Sequence, residues 1–246
     1  MSNERIVLYA AKLCPFAHRV EIALKESGID YERCEIDFFT KPDWYLEKVN
    51  PAGKVPVIAY GGPQTPHDDP SPESIKIAES LVLVEFVNDL SGGKLLPTDP
   101  VLRAKARLFI ETISPKVISA FFGPCLRGDD PQMVVQAIEL LQNLVPEGDG
   151  FAVGDWSIAD AAVVTLLART ELAFENDYGS YDQGMGKKAW DEVMNDAKFE
   201  RFRRYYAAVK ARKSFQESFA RDFIFNYFQS KYPGLRAQRI AAKASQ

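Results

Sequence analysis

Cysteine is scarce in this chain, and the little there is does not pair off. Cys14, Cys34 and Cys125 are too few and too widely spaced for a disulfide framework or a zinc-binding pattern. An excess of one charge sign is lacking too. The formal net charge is −4, which excludes broad attraction to nucleic acid or to an anionic membrane. No apolar run reaches the roughly 18 residues of a spanning helix, and the first residues lack the apolar core of a secretory leader. What remains is ordinary globular material: 246 residues, 46% hydrophobic and 26% charged, enough for one large domain or two small ones. These absences predict a soluble cytoplasmic protein that holds no metal and binds neither nucleic acid nor membrane.

The pattern along the chain changes once. The first part predicts a strand over Ile6–Ala10, a helix over Pro15–Ser27 and a strand over Tyr31–Ile36, close enough together for a βαβ unit with parallel strands. A short helix or turn over Asp43–Lys48 follows, then strands at Val57–Tyr60 and Ile75–Ile77 and an apolar helix over Glu79–Leu90. Between the last two strands lies a Pro- and Asp-rich loop, Pro63–Glu73. Glycines and prolines between Ser91 and Pro100 break the pattern. Beyond them helices are expected at Val101–Phe122, Gln132–Val145, Ser157–Phe174, Lys198–Arg212 and Ser214–Lys231, with a solvated tail from Arg236. The expected division is an α/β domain over 1–90, a linker over 91–99 and an all-helical domain over 100–246. Within the latter, Ser157 and Asp160 have the spacing of a capping box ahead of a buried helix.

The stretch richest in chemistry is Leu13-Cys14-Pro15-Phe16-Ala17-His18-Arg19-Val20. Proline suits the first turn of a helix, so Pro15 is the expected first helical residue and Cys14 the expected N-cap. Phe16, Ala17, Val20, Ala23 and Leu24 fall on one face and His18, Glu21, Lys25 and Glu26 on the other, with Gly28 placed to end the helix. A sulfur at a helix N-terminus meets unpaired N–H groups that favour the thiolate. At a free-thiol pKa of about 8.5 roughly 3% is ionised at neutral pH, whereas a pKa of about 6 makes thiolate the main form. The residues alone leave two readings open: a nucleophilic or redox cysteine, or a small buried residue in a strand–helix turn. Catalysis further requires the sulfur to lie open to solvent beside a pocket. With Ala17 where a dithiol motif has its second cysteine, an internal dithiol cycle is excluded.

Three further places stay ambiguous on their own residues. Val55-Pro56 opens a strand, where a structural trans proline is the plain reading. Glu79-Ser80 starts a helix and reads as a cap or as a carboxylate and ammonium site. Lys41 and Lys54 read as ligand groups or as solvated charges. Tyr9, a strand aromatic, reads as core, His18 as a polar-face residue, Cys34 as a buried strand residue, and Cys125 as either cleft lining or filler.

Cys14-Pro15-Phe16-Ala17-His18-Arg19-Val20 resembles the catalytic turn of omega-class glutathione transferases. Lys41-Pro42-Asp43-Trp44, Asn50-Pro51-Ala52-Gly53-Lys54-Val55-Pro56-Val57 and Glu79-Ser80 follow in that family's order. The Ser157 box resembles its folding motif. The resemblance implies a thioredoxin-like N-terminal domain followed by an all-helical bundle, a homodimer, and glutathione as co-substrate with no metal. It implies a catalytic Cys14, a cis Val55–Pro56 bond, and a glutathione site built from Pro15, Phe16, Lys41, Lys54, Val55, Pro56, Glu79 and Ser80. It also implies an interdomain cleft for an apolar or aromatic acceptor, with Leu13, Phe121, Phe122 and Cys125 as candidates. The chemistry implied is thiol transfer and reductive deglutathionylation, with dehydroascorbate reduction as a further activity. A ligandin-type binder of aromatic or polyphenolic compounds is the alternative, and a chloride-intracellular-channel-like protein shares the Cys-Pro-Phe turn. Tyr9 is the rival activator, since some members use a tyrosine near the end of the first strand. The long Pro63–Glu73 loop departs from the family pattern.

Overall fold

The structure, a computed structural model, describes residues 4–244. Its first part runs β1 (Ile6–Ala10), α1 (Pro15–Ser27), β2 (Glu32–Glu35), α2 (Asp43–Lys48), β3 (Val57–Tyr60), β4 (Ile75–Ala78) and α3 (Ser80–Leu90). The strands form one sheet in the order β2-β1-β3-β4, with β1 and β2 parallel and the other pairs antiparallel. This is the expected thioredoxin-like arrangement.

Side chains alternate along a strand, so β1 serves both faces of the sheet. On one face Val7 and Tyr9 pack with Val57 and Ala59 of β3 and with Ile36, Tyr45 and Val49. Leu8 and Ile58, wholly buried, point the other way. Both faces being covered explains why every residue of β1 is buried. The Pro63–Glu73 loop is tied down over the Tyr9 side: Tyr9 Oη donates to the His67 carbonyl at 2.9 Å, Arg5 Nη1 to the Thr65 carbonyl at 2.8 Å, and Lys48 pairs with Asp69.

Helices make up the rest: α4 (Pro100–Phe122), continued by a π-helical turn at Gly123–Arg127, α5 (Gln132–Leu144), α6 (Ile158–Glu175), α7 (Met185–Asn195), a 3-10 turn at Ala197–Phe199, α8 (Glu200–Lys210), α9 (Lys213–Ser218) and α10 (Arg221–Ala244). The central element is α6, buried along nearly its whole length. Its capping box forms as expected: Asp160 Oδ2 accepts the Ser157 N–H at 2.8 Å while Oδ1 accepts the Ala152 N–H at 2.9 Å.

Helix α7 is not among the expected helices, and the chain beyond α8 differs from the sequence-based expectation in two further features. The helix expected over Ser214–Lys231 is two helices, and α9 does not stay with the helical part. One compact unit runs to Thr98 and takes in Lys213–Phe219; the other holds Asp99–Arg212 and the chain from Ala220 onward. The tail from Arg236 is mostly exposed, as expected, but it is helical, part of a helix that runs through Pro233 to Ala244. Arg236 Nε donates to the Gly179 carbonyl at 3.1 Å, its Nη1 pairs with Asp177 at 3.0 Å, and Arg239 pairs with Asp182.

Candidate active site

Cys14 is the N-cap of α1, as its spacing before Pro15 predicts. Its backbone is extended (φ −73°, ψ 115°) and its Sγ accepts the Ala17 N–H at 3.4 Å. The thiol in turn donates to the Val55 carbonyl at 3.5 Å. Gly28 closes the helix in the left-handed conformation, φ 72°. The expectation of a solvent-open sulfur is corrected: Cys14 is only 3% exposed. Its sulfur nonetheless meets polar backbone groups, the Ala17 N–H of α1 and the Val55 carbonyl before β3. A cavity of about 460 Å³ lies elsewhere in this unit, lined by Arg5, Glu32, Gln64, Thr65, Pro66 and His67.

Of the residues that the resemblance implies, Val55 meets Cys14 through its carbonyl and Ser80 meets Arg19 of the same helix. Val55–Pro56 is cis. Glu79, exposed, precedes α3 at φ 71°, a left-handed value rare for a residue with a Cβ, and makes no side-chain cap bond. The first-turn N–H groups of α3 are therefore not capped by Glu79. Ser80, the first residue of α3, is buried and accepts a hydrogen bond from Arg19 Nη1 at 3.3 Å. Pro15 is buried and Phe16 half-buried beside it.

The two lysines differ. Lys41 is half-buried, and its Nζ donates to the Asp37 carbonyl at 2.8 Å and the Phe38 carbonyl at 2.5 Å. Desolvation lowers its pKa, against a pull upward from Asp37 and Cys14. Lys54 is exposed; its carbonyl takes hydrogen bonds from Tyr45 Oη and Asn50.

Tyr9 is wholly buried, donates to His67, and burial pushes its pKa up to about 12, which suits the core residue its strand position predicts. Two expectations are corrected. His18 is 2% exposed, not on a solvated face: its Nε2 lies 2.8 Å from Ser218 Oγ and its ring stacks on Phe219. Since Ser218 Oγ donates to the Ser214 carbonyl, Nε2 carries the donated proton. Cys34 is half-buried, because β2 is an edge strand. Of the acceptor candidates, Leu13 and Phe122 are half-buried, Phe121 is buried among aromatics, and Cys125 is sealed in the π-helical turn, where burial raises its thiol pKa.

Reading by residue type passes over Arg19. A long cation five residues beyond an N-cap, on a helix flanked by apolar positions, is the signal that marks it. Among the described residues no cluster of His, Cys, Asp and Glu is arranged to hold a metal, and no helix is long and apolar enough to cross a membrane.

A thioredoxin-like unit with a cysteine capping its first helix, joined to a helical unit with a Ser-x-x-Asp box, is the architecture of cytosolic glutathione transferases. Residues 8–94 match the family model "Glutathione S-transferase, N-terminal domain". The chain is 48% identical to glutathione transferase Omega 1C from Trametes versicolor over 94% of its own length and 98% of that chain, with a TM-score of 0.90. It is 41% identical to Omega 2S of the same fungus, whose structure holds 2,4-dihydroxybenzophenone, over 95% of this chain and 99% of that one at a TM-score of 0.85. A probable glutathione S-transferase of Glycine max is 31% identical over 67% of this chain and 71% of its own. The chain belongs to the glutathione transferase family and falls with its omega class. Glutathione is the co-substrate of that family.

Proposed function

We propose that the protein is a cysteine-type transferase that moves the glutathionyl group between thiols. The Cys14 thiolate attacks the glutathionyl sulfur of a mixed disulfide or thioether. The bond from that sulfur to the acceptor breaks, and the acceptor leaves with the bonding pair as a thiolate or carbanion and takes a proton. A second glutathione thiolate then attacks the Cys14 mixed disulfide, releasing oxidised glutathione and the enzyme thiolate. The observation that carries this reading is the Cys14 sulfur itself, placed at the N-terminus of α1 and accepting the Ala17 N–H, in a turn with no second thiol; because residue 14 is only 3% exposed, attack requires the side chains over it to give way.

In the same reading the α3 N-terminus, with Glu79 and Ser80, takes the γ-glutamyl end of glutathione. The Val55 backbone before cis Pro56 takes the cysteinyl amide, with Pro15 and Phe16 alongside. Lys41 takes the glycyl carboxylate by exchanging its two carbonyl partners for it, with Lys54 nearby. The acceptor carries an apolar or aromatic group. Exposed Ile75 and Val82 support a homodimer, which light scattering reads directly. The expected location is the cytoplasm, and dehydroascorbate is a further substrate to assay.

The decisive experiment is Cys14→Ser. Thiol transfer is lost, while conjugation to electrophiles is retained or gained, because a serine hydroxyl stabilises bound glutathione thiolate. Full thiol transfer in Cys14→Ser with none in Tyr9→Phe overturns the reading in favour of a tyrosine-type enzyme. A second reading, storage of aromatic ligands, is favoured by the benzophenone-bound Omega 2S relative. Tight binding of such compounds to this chain without any turnover distinguishes it.

A further inference from the structure

Arg19 is 2% exposed, and a guanidinium taken out of water needs something to offset the loss of hydration. It lies five residues beyond the N-cap of α1. Helical side chains lean toward the N-terminus of their helix, so the long Arg19 chain carries its charge back toward the end that bears Cys14. There the guanidinium lies 5.0 Å from the centre of the Phe16 ring, and Nη1 donates to Ser80 Oγ at 3.3 Å. One side chain thus joins the helix of the nucleophile to the first residue of α3.

Two consequences follow from elementary chemistry. A serine oxygen that accepts from a guanidinium keeps its own proton to donate, and the bond fixes the direction in which that proton points. A positive charge held away from water also acts on a nearby anion more strongly than a solvated one does. Burial brings Arg19 down to about 10 and the charge of Cys14 draws it back upward, so the guanidinium stays protonated at neutral pH.

We propose that Arg19 is a positioning residue of this enzyme: it aims the Ser80 hydroxyl at a carboxylate of the bound peptide and supplies a fixed positive charge that favours the Cys14 thiolate. The proposal rests on the reading of Cys14 as the nucleophile. Lys41 and Tyr45 also feel the charge of Cys14. Lys41 is engaged by the carbonyls of Asp37 and Phe38, and the Tyr45 phenol, kept neutral by burial, donates to the Lys54 carbonyl. His18, on the same helix, is turned to Ser218.

The test uses the full chain and three variants, Arg19→Met, Arg19→Lys and Ser80→Ala, each checked for folding by thermal melting. Alkylation of Cys14 by iodoacetamide is followed by mass spectrometry across pH without glutathione, and binding is measured with S-hexylglutathione, whose thiol is blocked. Arg19→Met is expected to move the alkylation midpoint to higher pH and to weaken S-hexylglutathione about tenfold. Ser80→Ala is expected to weaken binding similarly with no change in the alkylation profile. Arg19→Lys keeps the charge but not the fork geometry, so it is expected to alkylate like the parent and to bind like Ser80→Ala.

A folded Arg19→Met with parental alkylation and binding overturns the proposal. If Arg19→Met does not fold, Arg19→Lys decides: parental alkylation with weakened binding supports the assignment, and any other pattern overturns it. Because alkylation is read without turnover, it reports on Arg19 even where Cys14→Ser shows that another group is the nucleophile.

Discussion

Tyr9 and Cys14 show how a short step along the chain changes what a side chain meets. Both sit near the end of β1 in a glutathione transferase. Tyr9 faces the core and gives its proton to a loop carbonyl; Cys14 faces the open N–H groups of a helix. Replacing Tyr9 with Phe leaves one part-buried carbonyl, that of His67, without its donor. The expected outcome is a loss of about 1 kcal/mol in urea unfolding, with thiol transfer unchanged. Lys41 carries a different expectation: in the proposed site it leaves two carbonyls to meet the glycyl carboxylate. Lys41→Met therefore raises KM for glutathione several-fold while kcat stays near that of the parent, measured by steady-state kinetics.

Among the elements, α1 shows best what the sequence displays and what it hides. Its start and stop are local chemistry, a capping Cys14 before Pro15 and a left-handed Gly28, and both are legible from a few neighbouring letters. Its outer face is not. His18, Lys25 and Glu26 read as solvated charges, yet α9 covers them: Lys25 pairs with Glu217 at 3.1 Å, and Ser214 Oγ donates to Glu26 at 2.5 Å. That partner lies about two hundred residues away along the chain, beyond the reach of any periodicity. Helix α7 is hidden for another reason. It opens at Gly184, with φ 83° and no side-chain cap, so no start signal marks it, although Gly186, Ala189, Trp190 and Val193 do share its buried face. The α9–α1 contact is itself testable. Phe215, 6% exposed and 5.6 Å from the His18 ring, is expected on replacement by Ala to lower stability by about 3 kcal/mol, read by urea denaturation.

Across the whole molecule, pH dependence exposes one buried charge of the helical unit. Asp160 is wholly buried, and desolvation outweighs its hydrogen bonds, lifting its pKa from 3.8 to about 6. Over that interval the folded chain holds a proton that the unfolded chain has released. Its contribution to stability is therefore full below the lower value, falls as pH rises, and levels off above the upper one. Asp160→Asn removes that slope, although the amide cannot accept both backbone N–H groups and lowers stability at every pH. Urea titrations of both proteins from pH 4 to 7 check the difference in slope. The capping box responsible is readable from Ser157 and Asp160, three positions apart; its depth of burial is not, since that depends on Ala152 and Tyr205, far outside the motif.

The membership of α9 in the first unit bears on how the protein is made. During synthesis, β1 to α3 leave the ribosome early, but Lys213–Phe219 emerges only after Asp99–Arg212 has been translated. Until then the charged side of α1 faces water and the helix capped by Cys14 lacks its outer brace. The unit that carries Cys14 is thus the first to begin folding and cannot be the first to finish.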